Sequence, residues 1–245
     1  YRLTRLPAGE TIASVACRYL DSGLPVIGAG GGHIFALMGY RWVRQDGLRH
    51  LQFIRQDDLE GPYVVVDSVK SDRYRPWEYL VIPMPSKVYM SGERAERLGR
   101  RKLIEALADS DDAGSKLLEA RLDSGDLEFK ASVCLSNEFK TKMRERGSES
   151  LLAAYQWLPM SRWVWVVELV EREAWYSNNP SVLAEAVIDA TGHAEDQKVL
   201  AWRVPGAVSW VVADFEHPRG LSVNLSDPQV SVVRNDTSVV DLPGV

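Results

Sequence analysis

The period of the apolar positions changes several times along the first third of the chain, and each change marks an element. In ETIASVACRYLD, residues 10 to 21, Ile12, Val15, Ala16, Tyr19 and Leu20 fall on one helix face, and Ser22-Gly23 closes the run. Cys17 lies mid-helix, off that stripe. LPVIGA then reads as a buried strand, the glycines at 28 and 30 to 32 as a turn, and HIFALMGYRWV as a longer strand opened by His33. QDG carries an Asp-Gly hairpin signal, LQFIRQDD returns as a third strand, and a Gly-Pro turn leads into a fourth in GPYVVVDSV. A helix followed by strands joined through short turns predicts an α+β layer built on an antiparallel sheet.

The polar stretch SVKSDRYRPW, residues 68 to 77, divides the chain into expected units 1–75 and 76–245. The second unit opens with strands around EYLVIPMPSKVYMS and a helix from about Glu93 to Ala108, then a polar loop at DSDDAGS. LEFKASVCLS reads as a strand, and SNEFKTKMRERGSESLLAAYQWL as a helix broken near Gly147. RWVWVVELV, VLAEAVIDAT and WRVPGAVSWVV are further strand-like runs, and the tail from Leu221 is polar and loop-like. Trp163 and Trp165 share one face of their strand and Val164 and Val166 the other, so both faces are expected to be covered. Asp189, ending its strand, suits a turn or cap.

The glycines raise the question of a phosphate cradle. A dinucleotide fingerprint needs a glycine at its sixth position and a helix after it. Here that position is His33 and a strand follows, so the glycines serve a turn with positive φ, and no cofactor is expected. His50, His193 and His217 are scattered without ligand spacing, and no metal site is expected.

Three features remain together: a helix ahead of PVI, a histidine opening a strand that ends its apolar run in Gly39-Tyr40, and an acid closing the next strand in FIRQDDLEGPY. Over about residues 12 to 66 this pattern resembles the C-terminal half of a papain-like cysteine peptidase of the double-glycine (bacteriocin-processing) type. The resemblance implies that His33 is the general base and that Asp57 orients its imidazole. Asp58 stands where the family has proline, which leaves both Asp57 and Asp58 as candidates for the third member. The implied fold is a papain-like antiparallel sheet with packed helices, and the implied substrate is a peptide or protein. Residues 77 to 212, notably SNEFK and LPMSRWVWVVEL, resemble the C-terminal region of uncharacterised bacterial proteins that share the peptidase-like half.

In such enzymes a thiolate attacks, and the cysteine sits at the N-terminus of a helix whose dipole favours the anion. Neither Cys17 nor Cys134 occupies such a place. The opening YRLTRLPAGETIASV reads as neither a signal peptide nor a domain start, so the expectation is of a fragment whose nucleophile lies upstream. The alternative is a catalytically silent relative that acts as a protein-binding module or scaffold, with the second unit as its partner surface.

Bulk composition changes this picture little. Across 245 residues, 45% are hydrophobic, 26% are charged and the net charge is -5, which fits a globular protein and makes a nucleic-acid partner unexpected. In ERAERLGRRKLIEALA, Arg94, Arg97, Arg100, Arg101 and Lys102 alternate with Glu93, Glu96 and Glu105, as on a solvated helix face. Two cysteines suit a reducing compartment, and the absence of any apolar run of about 18 residues argues against a membrane span, so a cytoplasmic location is expected.

Overall fold

The computed structural model describes residues 6, 8–67, 77–145, 155–156, 158–175, 181–193, 198–212, 219–224, 230–234 and 239–241. The chain is α+β and forms two compact units, Tyr1–Ser86 and Lys87–Val245. The boundary falls later than the expected 75/76, because the strand Tyr79–Val81 hydrogen-bonds to the first sheet.

In the first unit, α1 (Ile12–Asp21) starts at a reciprocal cap in which the Ser14 amide donates to Thr11 Oγ1 and the Thr11 amide to Ser14 Oγ. It packs on an antiparallel sheet ordered β4-β3-β2-β1-β5, with β1 Val26–Gly30, β2 His33–Gln45, β3 Leu48–Asp57, β4 Gly61–Val66 and β5 Tyr79–Val81. Both tight hairpins follow from their residues. Gly31 and Gly32 take φ of 58° and 83°, and Asp46 and Gly47 take 51° and 75°, the positive values that a two-residue turn matching strand twist requires. The first turn sets Gly30 opposite His33, which places the histidine at the first position of β2. The expected Gly-Pro turn is instead the start of β4 itself.

Alternation assigns the faces. Val26, Leu37, Phe53 and Leu80 are buried on the side where α1 lies, together with Val15, Ala16 and Tyr19 of the helix. Tyr40 donates to Asp21 Oδ1 at 2.6 Å and ties β2 to the end of α1. Cys17, expected off the apolar stripe, is buried with it. Ile34, Met38, Val65, Tyr79 and Val81 point to the opposite face and are exposed.

The second unit is an antiparallel meander whose eight strands pair in chain order: β6 Leu127–Leu135, β7 Trp163–Glu171, β8 Val182–Asp189, β9 Val199–Val204, β10 Ala207–Val212, β11 Arg219–Asn224, β12 Val230–Arg234 and β13 Val239–Asp241. One face carries α2 (Gly92–Ala108), which buries Ala95, Gly99, Leu103 and Leu107 at four-residue spacing. Gly99 is required there, since a Cβ would lie 2.5 Å from Val167 Cβ. On the other face Phe139 and Met143 of α4 (Ser136–Glu145), with Tyr155 and Leu158, pack on Val164, Val166, Val187, Ala201 and Val208.

Trp165 is fully buried and donates to the Met90 carbonyl, so β7 is covered on both faces as its alternation implied. Four expectations change. Of the strands expected around EYLVIPMPSKVYMS, only β5 forms, and it joins the first sheet. The end of DSDDAGS is no loop but the start of α3 (Ala113–Arg121), capped by Asp112. WRVPGAVSWVV is a hairpin rather than one strand, turned at Pro205-Gly206 with Gly206 at φ 80°. The polar tail contributes β11, β12 and β13, because edge-ward strands can alternate polar and apolar residues without a continuous apolar run. The expected helix break near Gly147 lies outside the described residues. Asp189 accepts from the Thr191 amide and hydroxyl, the turn role expected of it. No helix among the described residues is long and apolar enough to cross a membrane.

Candidate functional site

Hairpin geometry builds the site. The Asp46-Gly47 turn pairs β2 with β3 antiparallel, so the first residue of one strand lies beside the last residue of the other. A bulge between Leu37 and Gly39 shifts the register by one position, which turns Asp57 to the same face as His33. His33 Nε2 lies 2.9 Å from Asp57 Oδ2. The carboxylate side chain is 2% exposed and the imidazole 28%, so a buried acid holds an imidazole that solvent can reach.

Asp57 is held at both oxygens. Its Oδ1 accepts from the Leu59 amide at 2.9 Å and the Glu60 amide at 3.4 Å, closing a turn just past β3. Its Oδ2 faces His33 and lies 3.4 Å from Arg55 Nε. Burial pushes the carboxyl up, but the bonds from His33, Leu59 and Glu60 and the Arg55 charge outweigh it, leaving the group below its ordinary 3.8. An ionised Asp57 requires the proton to sit on Nε2, so neutral His33 presents a lone pair at Nδ1. Nδ1 has no hydrogen-bond partner among the described residues.

His33 opens onto a cleft of about 430 Å³ walled by the Gly30–Gly32 turn, Phe35, Trp77, Arg55 and the Asp57–Glu60 turn. The wall is aromatic and packed: the Phe35 and Trp77 rings lie 4.8 Å apart, and Phe35 fills the space that a Cβ on Gly28 would enter, at 2.3 Å. The glycines thus serve two ends, the turn at 31–32 and the close approach at 28.

Of the two acids left open by the sequence, Asp57 bonds His33. Asp58 is exposed, although its carboxylate lies within 4.8 Å of the pair. Donor atoms of His33, Asp57 and Asp58 are near enough to surround a cation. Both Asp57 oxygens and His33 Nε2 are already engaged within the protein.

Among the described residues, no cysteine, serine or threonine lines the cleft. Cys17 is buried within α1. Cys134 lies in β6 of the second unit, where burial pushes its thiol up to about 11. His50 is exposed near the β2–β3 turn, His193 stacks on Tyr89 at 4.5 Å, and His217 lies outside the described residues. Arg101 and Glu105 on α2 are both exposed and 3.9 Å apart, as a solvated face requires, but Glu93, expected on that face, is buried in the first turn of the helix.

The sequence reading missed Arg55, Glu60, Phe35 and Trp77. For Arg55 a signal existed, since Phe53, Arg55 and Asp57 alternate onto one face of β3. Compared with protein-family models, curated proteins and solved structures, the chain matches none.

Proposed function

We propose that the first unit is the base-bearing half of a papain-like thiol hydrolase, most simply a cysteine peptidase. His33 is its general base, Asp57 orients the imidazole, and the nucleophile is a cysteine that the encoded protein carries before Tyr1. The observation that carries this reading is the 2.9 Å His33–Asp57 pair, with its acid buried, its imidazole at a cleft and Nδ1 without a partner. In the reaction Nδ1 takes the thiol proton as sulfur attacks the scissile carbonyl, then returns it to the departing amine. A water deprotonated by the same nitrogen hydrolyses the thioester. An aromatic and glycine-walled cleft suits an extended peptide, whose backbone can approach a turn that lacks side chains.

The test is peptide hydrolysis by the full encoded protein. His33→Ala should lower kcat/KM by about 10²- to 10⁴-fold, the usual contribution of a positioned base. Unchanged hydrolysis of the same substrate would remove His33 from the mechanism.

One observation favours a second reading, the binding module or scaffold: neither cysteine of this chain lines the cleft. Under that reading the full protein has no cysteine whose reactivity depends on His33, and the cleft binds a peptide without cleaving it.

A further inference from the structure

Arg55 is an unusual residue to find at the centre of a strand face. Its side chain is 3% exposed, in the row Phe53, Arg55, Asp57, and it is held on several sides. Nε lies 3.4 Å from Asp57 Oδ2, an ion-pair contact without hydrogen-bond geometry, and that oxygen is the one His33 Nε2 meets at 2.9 Å. Nη2 donates to the Glu60 carboxylate at the cleft rim. The guanidinium carbon sits 5.1 Å from the centre of the Phe35 ring, which itself packs on Trp77. A flat, permanently charged fork is thus wedged between the acid of the dyad, the turn that follows it and the aromatic wall.

We infer that Arg55 is the positioning residue of this site: by spanning Asp57 and Glu60 it clamps Asp57 Oδ2 onto His33 Nε2. The inference deepens the proposed function and rests on His33 being the base. The physical need is clear from the surroundings. Among the described residues, the charged or titratable groups near Asp57 are His33 from β2, Arg55 from β3, and Asp58 and Glu60 from the turn, while Glu78 accepts from the Gly31 amide and Asp21 of α1 is directed to Tyr40. Without Arg55 the buried carboxylate would keep His33 and the two turn amides but lose the neighbouring guanidinium charge, which would move its titration upward. A carboxylate less firmly held would fix the proton on Nε2 less tightly. A lysine would supply charge but could not bridge two carboxylates in a fixed plane.

The test uses the full chain and needs no substrate. The Asp57 carboxyl carbon is followed by NMR through a pH titration, assigned by its loss in Asp57→Asn. The Nε2 proton of His33 is followed by solvent exchange, assigned by its loss in His33→Gln among only four histidines. In Arg55→Gln the Asp57 midpoint should rise by about 1 pH unit or more, and Nε2 proton exchange should quicken by about tenfold. Arg55→Lys should keep the low midpoint yet show the faster exchange. A folded Arg55→Gln with both readouts unchanged would overturn the inference. Wild-type exchange in Arg55→Lys would overturn the clamp even where the Gln variant fails to fold. Neither readout involves a thiol, so absence of hydrolase activity would contradict the proposed function and leave this result standing.

Discussion

Asp57 in the first unit and Glu185 in the second are both buried carboxylates on an antiparallel sheet, yet their partners differ in kind. Glu185 is fully buried and accepts from Tyr155 Oη at 2.8 Å and Arg203 Nε at 3.1 Å. Both partners donate to that one carboxylate, so the cluster is a fixed polar knot within a core. Asp57 faces a histidine, whose second ring nitrogen can accept a proton, and that histidine reaches a cleft. A buried acid becomes chemically useful when the group it holds can both titrate and meet another molecule. The same contrast runs through the sheets. The central strands of the second unit are covered on both faces, whereas the first sheet leaves Ile34 and Met38 exposed on one side and a cleft on the other.

The comparison can be broken most sharply at Glu185. Glu185→Ala strands a largely buried Arg203 and should cost about 3–5 kcal/mol in urea unfolding, while leaving the His33 ring signals unchanged. Next in size is Gly99→Ala, whose new methyl meets Val167 and should cost about 1–3 kcal/mol by forcing α2 off the sheet.

Asp57→Asn should cost only about 1 kcal/mol at neutral pH, because the amide can still accept from the turn. Its distinctive effect is on acid stability. The folded carboxyl titrates below its unfolded value of 3.8, so ionised Asp57 contributes stability that is full above about pH 4 and is lost as pH falls through the folded value. Unfolding followed down through this range should therefore be less steep in the Asn variant than in the wild type. The smallest effect belongs to Met38→Lys on the exposed sheet face, within about 0.5 kcal/mol by thermal melting.

Local chemistry was legible in the sequence and long-range pairing was not. Gly31-Gly32 and Asp46-Gly47 announce their hairpins because few other residues tolerate both positive φ values, and these turns alone bring His33 near the end of β3. The choice between Asp57 and Asp58 depends on the bulge near Met38, since a one-residue shift reverses every side chain, and nothing in the apolar run announces it. Trp77 and β5 reach the first unit across a polar segment, so composition placed the boundary too early. In the second unit, alternating small and polar residues hid β11 to β13, and Asp112 looked like loop because a capping residue and a turn residue are the same type.

The most direct test is to treat the full encoded protein with a limiting thiol-directed electrophile near pH 6 and map the labelled residue by peptide mass spectrometry. The account predicts selective labelling of a cysteine preceding Tyr1, lost in His33→Ala, with Cys17 untouched in its helix and Cys134 silent because burial holds its thiol near about 11. Labelling of Cys17 or Cys134, or labelling that survives His33→Ala, would contradict it.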